Sequence, residues 1–327
     1  MRIATARVHL FLGGSAVVLA VLTAIVVAEP SAQPTAHTAR LTNLPPSSAA
    51  SASTSTPRSV PATVQRTPPL AQPWAGASHD VGHVQPGSDP SVLPADLLIA
   101  DKLNNRLVIV DPQGRVRWLF PRPGDLAAGQ TFLVPDDAFF SPDGRFIIVT
   151  QEDDYVITVI DVATHSIAYR YGVPGQPGSG DNHLDNPDDA LLLNDGYLLS
   201  ADIKNCRIVL IQLGARRPAR VIGMTTPSCR HAPPQHWGSP NGAFPMRNGH
   251  FLVTEINGDW VDEIGLDGHV YWSAHPPGVA YPSDSNEIGP DRYVTVDYSS
   301  PGQIVVFDHT GRTLWRFSGT GRNTLDH

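Results

Sequence analysis

Cysteine is scarce in this chain, and the short motifs that mark several enzyme classes are absent. Only Cys206 and Cys229 occur among 327 residues. The sequence contains no HExxH, no GxSxG nucleophile elbow, no P-loop, no dinucleotide-binding glycine pattern and no CxxC. The sequence therefore contains no local motif that would indicate one of these enzyme classes.

Positive charge is also sparse. The formal net charge is −8, and the C-terminal two thirds contain no run of Lys or Arg. Nucleic-acid binding requires a basic patch that neutralises phosphates. We therefore expect no nucleic-acid partner, and the acidic balance favours cations or cationic ligands.

Residues 8–28 form an apolar run that follows Arg2 and Arg7. A positive end before such a run is typical of an export signal or of a single membrane anchor. The letters VVA before Glu29 suit signal cleavage, whereas the length approaches the roughly 20 residues that span a bilayer. Both alternatives place the rest of the chain outside the cytoplasm, secreted or anchored to the cell membrane.

Residues 29–93 are rich in Pro, Ser, Thr and Ala and have few large apolar side chains. Such a segment buries too little surface to offset the entropy lost on ordering. The composition predicts a disordered or polyproline linker.

Short apolar runs recur between turn signals in residues 94–327, and no long stretch there has helical periodicity. Five segments align on one template. The last residues of their opening runs are Asp101, Gln151, Asp202, Glu255 and Asp297, which are 50, 51, 53 and 42 residues apart. Repeats of this length are typical of propeller blades.

Each repeat is consistent with four strands. The first follows a proline, as in PDDAFF and PDDALLL, and the second is continuously apolar. Trp118, Tyr169, Trp272 and Trp315 take the same place in the fourth strand, where their spacing favours packing between blades. Blade three departs from this pattern because PARVIG occupies that position.

The recurring P-D-D/N-x-A, D-G and V-x-D positions resemble those of bacterial extracytoplasmic propellers of the NHL type, with the six-bladed TolB-like architecture. The resemblance covers residues 94–327. It implies an all-β domain, a β-propeller of four-stranded blades, preceded by an N-terminal apolar helix and the linker. Such families include binding modules, lactonases and relatives of arylsulfotransferases, so the fold leaves the activity open.

The ring is expected to be incomplete. Leu325 and Asp326 match Leu184 and Asp185, which precede blade three, so a sixth blade would follow. The innermost strand of blade one is also missing from its N-terminal side. We expect five blades of a six-bladed ring and an exposed sheet edge.

Acidic side chains converge where the first strands begin and the second strands end, because both lie on the top face of a propeller. The candidates for ligand binding are Asp136, Asp137, Asp188, Asp189, Asn241 and Asp284. A divalent cation such as calcium could bind through oxygen atoms of Asp188, Asp202, Glu255 and Asp297. The same side chains could instead brace turns by accepting backbone N–H bonds.

Three histidines lie in loops predicted on that face. His183 precedes blade three, and His231 and His236 precede blade four. Beside a carboxylate, each could act as a general base or metal ligand. Cys206 and Cys229 are predicted on the same face, and an exported chain would join them in a disulfide.

The leading hypothesis is an exported or membrane-tethered propeller that binds a small molecule, polymer or protein on its top face. The alternative is a metal-dependent, lactonase-like hydrolase with its ion at the channel mouth. An enzyme resembling arylsulfotransferases, acting through a loop histidine, is a third possibility. The membrane would be a partner only if residues 8–28 stay attached.

Overall fold

The computed structural model describes the backbone of residues 4–5 and all of residues 82–320, and its strands form five four-stranded sheets. Blades one and two contain β1 (Ala4–Thr5), β2 (Leu97–Asp101), β3 (Arg106–Val110), β4 (Val116–Phe120), β5 (Ala138–Phe140), β6 (Phe146–Gln151), β7 (Val156–Asp161) and β8 (Ser166–Tyr171). Blade three contains β9 (Pro187–Leu192), β10 (Tyr197–Asp202), β11 (Arg207–Gln212) and β12 (Arg220–Gly223). Blades four and five contain β13 (Pro240–Pro245), β14 (Phe251–Glu255), β15 (Trp260–Ile264), β16 (Val270–Ala274), β17 (Pro282–Gly289), β18 (Arg292–Asp297), β19 (Gln303–Phe307) and β20 (Thr313–Ser318).

Consecutive strands within blades two to five pair antiparallel, as expected for a β-propeller. The prediction of an all-β fold with five recognisable blades is confirmed. Short 3-10 turns Lys102–Asn104, Glu152–Asp154 and Ile203–Asn205 follow the second strands of the first three blades. A fourth such turn, Pro90–Val92, precedes β2.

Blade one corrects one expectation. Its innermost position is occupied by β1, which pairs parallel with β2 through Ala4 and Leu97 and through Thr5 and Leu98. The backbone edge of β2 has donors and acceptors that need partners, and even a short strand supplies some of them. The innermost strand is therefore present, although its direction differs from that of β5, β9, β13 and β17.

Apolar layers between neighbouring sheets form the core. One cluster joins blades one and two around Phe120 and Ile147, and others join blades two and three, three and four, and four and five. The second strands of blades two to four lie between two such layers, which explains their continuous apolar character. Their alternate side chains face opposite neighbours, as Leu252 and Val253 of β14 do.

The fourth-strand aromatic residues pack between blades where a following blade is present. Trp118 is 4% exposed, and its Nε1 donates to the Val162 carbonyl of blade two at 3.0 Å. The Tyr169 hydroxyl donates to the Ala215 carbonyl of blade three. The Trp272 and Tyr293 ring centroids lie 4.8 Å apart across blades four and five. These contacts confirm the predicted packing role of the three residues.

Blade three obtains its aromatic residue from a loop. Trp237 is fully buried in the cluster between blades three and four. Gly223 permits this contact, because a Cβ there would lie 2.9 Å from the Trp237 ring. Trp237 therefore fills the space that a fourth-strand aromatic residue occupies elsewhere.

Two predicted segments are outside this description. The apolar residues 8–28 are not among the described residues, nor are residues 29–81 of the predicted linker. In the part of the chain that the structure covers, no helix has the length and apolar character needed to span a bilayer.

Blades one and five offer a direct stability test. Trp118 and Trp315 share a position in the fourth strand, yet Trp315 is 52% exposed. We expect Trp118→Ala to reduce the free energy of unfolding by about 3 to 5 kcal/mol and Trp315→Ala by about 0.5 kcal/mol or less. Chemical denaturation of both variants measures this difference, and equal losses would contradict the assignment of Trp118 to an inter-blade core.

Candidate functional site

A cavity of about 570 Å³ lies on the face where the first strands begin. This volume falls within the roughly 300–1,000 Å³ typical of small-molecule sites. All five blades contribute to its lining. The lining residues are Lys102, Leu103, Asp136, Glu152, Asp153, Asn186, Asp188, Ile203, Lys204, Ser239, Asn241, Ile256, Asn257, Tyr281, Ser283 and Tyr298.

The repeated Pro-Asp-Asp motif supplies the wall of this cavity. Its first acidic position is Asp136 in blade two and Asp188 in blade three, with Asn241 and Ser283 at the matching positions of blades four and five. Three of the predicted ligand-binding residues, Asp136, Asp188 and Asn241, thus line one cavity. The shared position after proline places them there.

The second position of the motif forms an acidic layer close to the wall. Asp189 and Asp284 are skipped in the pairing of β9 with β10 and of β17 with β18, which makes them bulge residues. Carboxylate oxygens of Asp137, Asp188 and Asp189 lie within 4.8 Å of one another, and all three residues are buried. This trio has the oxygen chemistry of a calcium site.

Glycine occupies the corresponding position in blade four. A Cβ at Gly242 would lie 2.9 Å from Asp189 Oδ2 and 3.2 Å from Asp284 Oδ1. The absent side chain therefore lets two carboxylates approach the same backbone. Asp284 joins the acidic layer next to blade four, although it is not among the residues that line the cavity.

A lysine among carboxylates forms the wall between blades one and two. Lys102 Nζ lies 2.8 Å from Asp136 Oδ2, 3.6 Å from Asp153 Oδ2 and 3.9 Å from Glu152 Oε2. Burial alone would lower the pKa of Lys102, but these carboxylates, led by Asp136, raise it above its ordinary value. Lys102 therefore stays protonated in the cavity.

Glu152 has an unusual protonation state. Burial, followed by the hydrogen bond with Asp136, raises its pKa to about 8. Asn186 Nδ2 donates to Glu152 Oε1 at 3.1 Å. At neutral pH the carboxyl group is therefore mostly protonated and can act as a hydrogen-bond donor inside the cavity.

Asp202 and Asp297, predicted as metal ligands, have structural partners instead. Asp202 accepts hydrogen bonds from the Asp185 backbone N–H at 2.8 Å and from Arg207 Nε at 2.7 Å. Asp297 accepts from the Tyr281 backbone N–H at 2.9 Å and from Gln303 Nε2 at 2.6 Å. Both carboxylates hold the loop that enters their blade.

The structure therefore does not assemble the predicted set of Asp188, Asp202, Glu255 and Asp297. Asp188 joins Asp137 and Asp189 near the cavity. The other three end second strands, and the set separates into one cavity residue, two braces and Glu255, which lies beside His231. Bracing, the alternative weighed for these side chains, describes Asp202 and Asp297.

Glu255 belongs to a separate cluster. His231 Nδ1 lies 2.8 Å from Glu255 Oε1, and the Gly238 N–H donates to Glu255 Oε2 at 2.5 Å. One ligand atom each of His231, Glu255 and Asp262 lies within 4.8 Å of the others. Burial raises the pKa of both carboxyl groups, that of Asp262 well above its ordinary value, and lowers the pKa of His231.

The other candidate histidines are not beside carboxylates. His183 Nδ1 contacts the Asp181 carbonyl oxygen at 2.9 Å, and His236 Nδ1 contacts the Arg230 carbonyl oxygen at 2.6 Å. Neither these two nor His231 is among the residues that line the cavity. Of the three loop histidines, His231 thus lies beside a carboxylate, that of Glu255, whereas His183 and His236 contact backbone carbonyl oxygens.

A disulfide joins Cys206 and Cys229, with Cα atoms 5.1 Å apart. It ties the loop before blade four to the end of the turn Ile203–Asn205. The Trp237 N–H also donates to the Cys206 carbonyl at 3.2 Å. Two attachments therefore hold the segment that carries His231.

Sequence reasoning missed several residues of both clusters. Lys102, Glu152 and Tyr298 directly follow second strands, at a position where the residue type differs from blade to blade, and Tyr281 directly precedes β17. Asp262 had a usable signal, since it interrupts an apolar third strand at the position of Val108, Val209 and Val305. A charged residue inside a strand buried on both faces requires an explanation.

The blade arrangement defines the chain as a β-propeller protein. No protein-family model matches it, and no curated protein matches it. Among solved structures, it is similar to the virginiamycin B lyase from Staphylococcus aureus, with a TM-score of 0.44 and 16% identity over 63% of this chain and 60% of the lyase. A streptogramin B lyase gives a TM-score of 0.48 and 16% identity over 69% of both chains.

A protein of unknown function from Bacteroides caccae gives a TM-score of 0.48 and 12% identity over 69% of this chain and 78% of that chain. The chain thus spans about 60% of the length of the S. aureus lyase. These neighbours are β-propeller proteins. At such identities and TM-scores, no activity and no site residue is carried over from them to this chain.

Glu152 should make stability depend on pH. An unfolded chain releases this proton near the ordinary pKa of 4.5, whereas the folded protein keeps it to about 8. Between these values the folded state binds more protons, so its stability falls as pH rises. Glu152→Gln, which mimics the protonated acid, should become progressively more stable than wild type across this range and remain so above it.

Denaturation curves at several pH values measure this difference, with Asp153→Asn as the neighbouring control because the Asp153 side chain is 60% exposed. Parallel pH profiles for wild type and Glu152→Gln would contradict the raised pKa.

Proposed function

We propose that this protein binds a small organic cation in the cavity on its top face. The observation that carries this proposal is the cavity of about 570 Å³ to which all five blades contribute. A site assembled from five sheets has walls fixed by inter-blade packing, which limits the entropy cost of binding.

The charges and aromatic rings favour a cation with an apolar part. Asp136, Asp153 and Asp188 line the cavity, with Asp137 and Asp189 close by. Lys102 and Lys204 offset only part of this negative charge. Tyr281 and Tyr298, whose ring centroids are 5.6 Å apart, offer faces for an apolar group or a cation–π contact.

Phenethylamine and 3-phenylpropionate form a suitable probe pair, because they share an aromatic ring and differ in the sign of their charge. We expect calorimetric binding of the amine and none of the acid. Asp188→Asn should weaken amine binding about 10-fold through loss of one charge–charge contact. Asp195→Asn changes an exposed acid in the turn between β9 and β10 and should leave the affinity unaltered.

Equal affinity for both probes, or an unchanged affinity in Asp188→Asn, would contradict the cation site. If neither probe binds, the small-cation proposal fails, and a polymer or a protein remains as the candidate ligand of this face.

A metal-dependent hydrolase of lactonase type is the second candidate, and the buried Asp137, Asp188 and Asp189 trio supports it. Calcium bound there could polarise a carbonyl group presented in the cavity. This candidate requires lactone hydrolysis that a chelator removes and that Asp189→Asn abolishes. An arylsulfotransferase-like activity has less support, because the candidate histidines do not line the cavity.

We also propose that the protein is exported and belongs to the NHL-type propellers. The arginine-flanked apolar residues 8–28 and the Cys206–Cys229 disulfide support export. Fractionated cells should contain the propeller outside the cytoplasm, with both cysteines resistant to alkylation until a reductant is added. A cytoplasmic protein with two freely alkylated thiols would contradict this location.

A further inference from the structure

Outside blade four, the side chain of the residue that ends each second strand hydrogen-bonds a side chain of the third strand. The third-strand partner supplies either a positive charge or a neutral hydrogen-bonding group. The pairs are Asp101–Arg106 at 2.8 Å, Gln151–Thr158 at 2.7 Å, Asp202–Arg207 at 2.7 Å and Asp297–Gln303 at 2.6 Å. None of these four partners is an acid, and Gln151 of blade two is itself uncharged.

Blade four breaks this rule. Trp260 stands where blades one and three have arginine, and Asp262 stands where blade two has Thr158. Glu255 and Asp262 both have no exposed surface, and in the described part of the chain the groups that act on the Asp262 carboxyl are Glu255, the Ser273 hydroxyl and His231, none of which is a lysine or an arginine. Two buried carboxyl groups thus face one another without a lysine or arginine, an arrangement that is costly unless something neutralises it.

The surroundings of the pair have the features of a coordination site. His231 supplies an imidazole, and its ligand atom and those of the two carboxyl groups lie within 4.8 Å of one another. The Gly238 N–H orients the second oxygen of Glu255. The Trp260 ring stacks on His231 with centroids 4.2 Å apart, which fixes the imidazole plane.

His231 also provides access, since its side chain is 23% exposed while the two acids are closed off. The Cys206–Cys229 disulfide anchors the loop two residues before it. An ion could therefore reach the carboxyl groups from the His231 side, into a site whose three donors come from two strands and one anchored loop.

We propose that His231, Glu255 and Asp262 bind one divalent transition-metal ion. One imidazole nitrogen and two carboxylate oxygens are donors that Zn²⁺ accepts, and its charge balances two carboxylates. The ion would take the role that Arg106 and Arg207 have in blades one and three. This site is separate from the cavity residues and does not depend on the proposed ligand binding.

Zn²⁺ is the probe for the test. The full chain, stripped with a chelator and dialysed, should bind about one equivalent in calorimetry, and its melting temperature should rise because only the folded state assembles the site. His231→Gln and Asp262→Asn should each weaken binding by at least about 100-fold.

Two control variants match these changes in residue type. His236→Gln alters the other histidine of the same loop, and Asp267→Asn removes an exposed acid from the turn after β15. Both should bind Zn²⁺ as wild type does.

Melting in chelator separates loss of the site from loss of the fold. Asp262→Asn removes one of two facing buried acids, so the stripped variant should melt no lower than stripped wild type, and Zn²⁺ should no longer stabilise it. No binding of Zn²⁺, Co²⁺ or Mn²⁺ by wild type would overturn the proposal and leave a shared proton as the neutralising charge. Equal Zn²⁺ affinity in Asp262→Asn and wild type would overturn it as well.

Discussion

The hydrogen bonds between the end of each second strand and the loop that enters the same blade are the constraint on which the top face depends. Asp202 binds the Asp185 N–H, Asp297 binds the Tyr281 N–H, and Gln151 donates to the Leu133 carbonyl. Each of these hydrogen bonds ties the end of a second strand to the loop that leads into the same blade. These hydrogen bonds fix where the first strands of blades two, three and five begin, and those strand starts line the cavity.

The repeat explains why so much of the fold could be predicted. Continuous apolar second strands, turn residues and the spacing of the strand ends recur in one chain, and each instance supports the others. The packing of the fourth-strand aromatic residues between blades was predicted from their position in the repeat alone. Trp118 and Tyr169 make the inter-blade contacts that this position implies. The parallel strand Ala4–Thr5 could not be predicted, because two residues carry no periodicity.

The site was predicted less completely, for a physical reason. Position after a shared proline placed Asp136, Asp188 and Asn241 correctly at one cavity. The direction in which a side chain points depends on the local backbone and on nearby hydrogen-bond donors, which a sequence motif does not encode. The bulge at Asp189 and the donors around Asp297 are examples. Lys102 and Glu152 directly follow second strands, where the residue type differs from blade to blade, and the contact of Lys102 with Asp136 forms only once blades one and two are adjacent.

Gly242 has a consequence for the symmetry of the acidic layer. Blades two, three and five each place a carboxylate at this level, whereas blade four presents bare backbone toward Asp189 and Asp284. The carboxylates of this layer are therefore distributed unevenly among blades two to five. Units that share one backbone plan can therefore surround a cavity with different charge on its different sides.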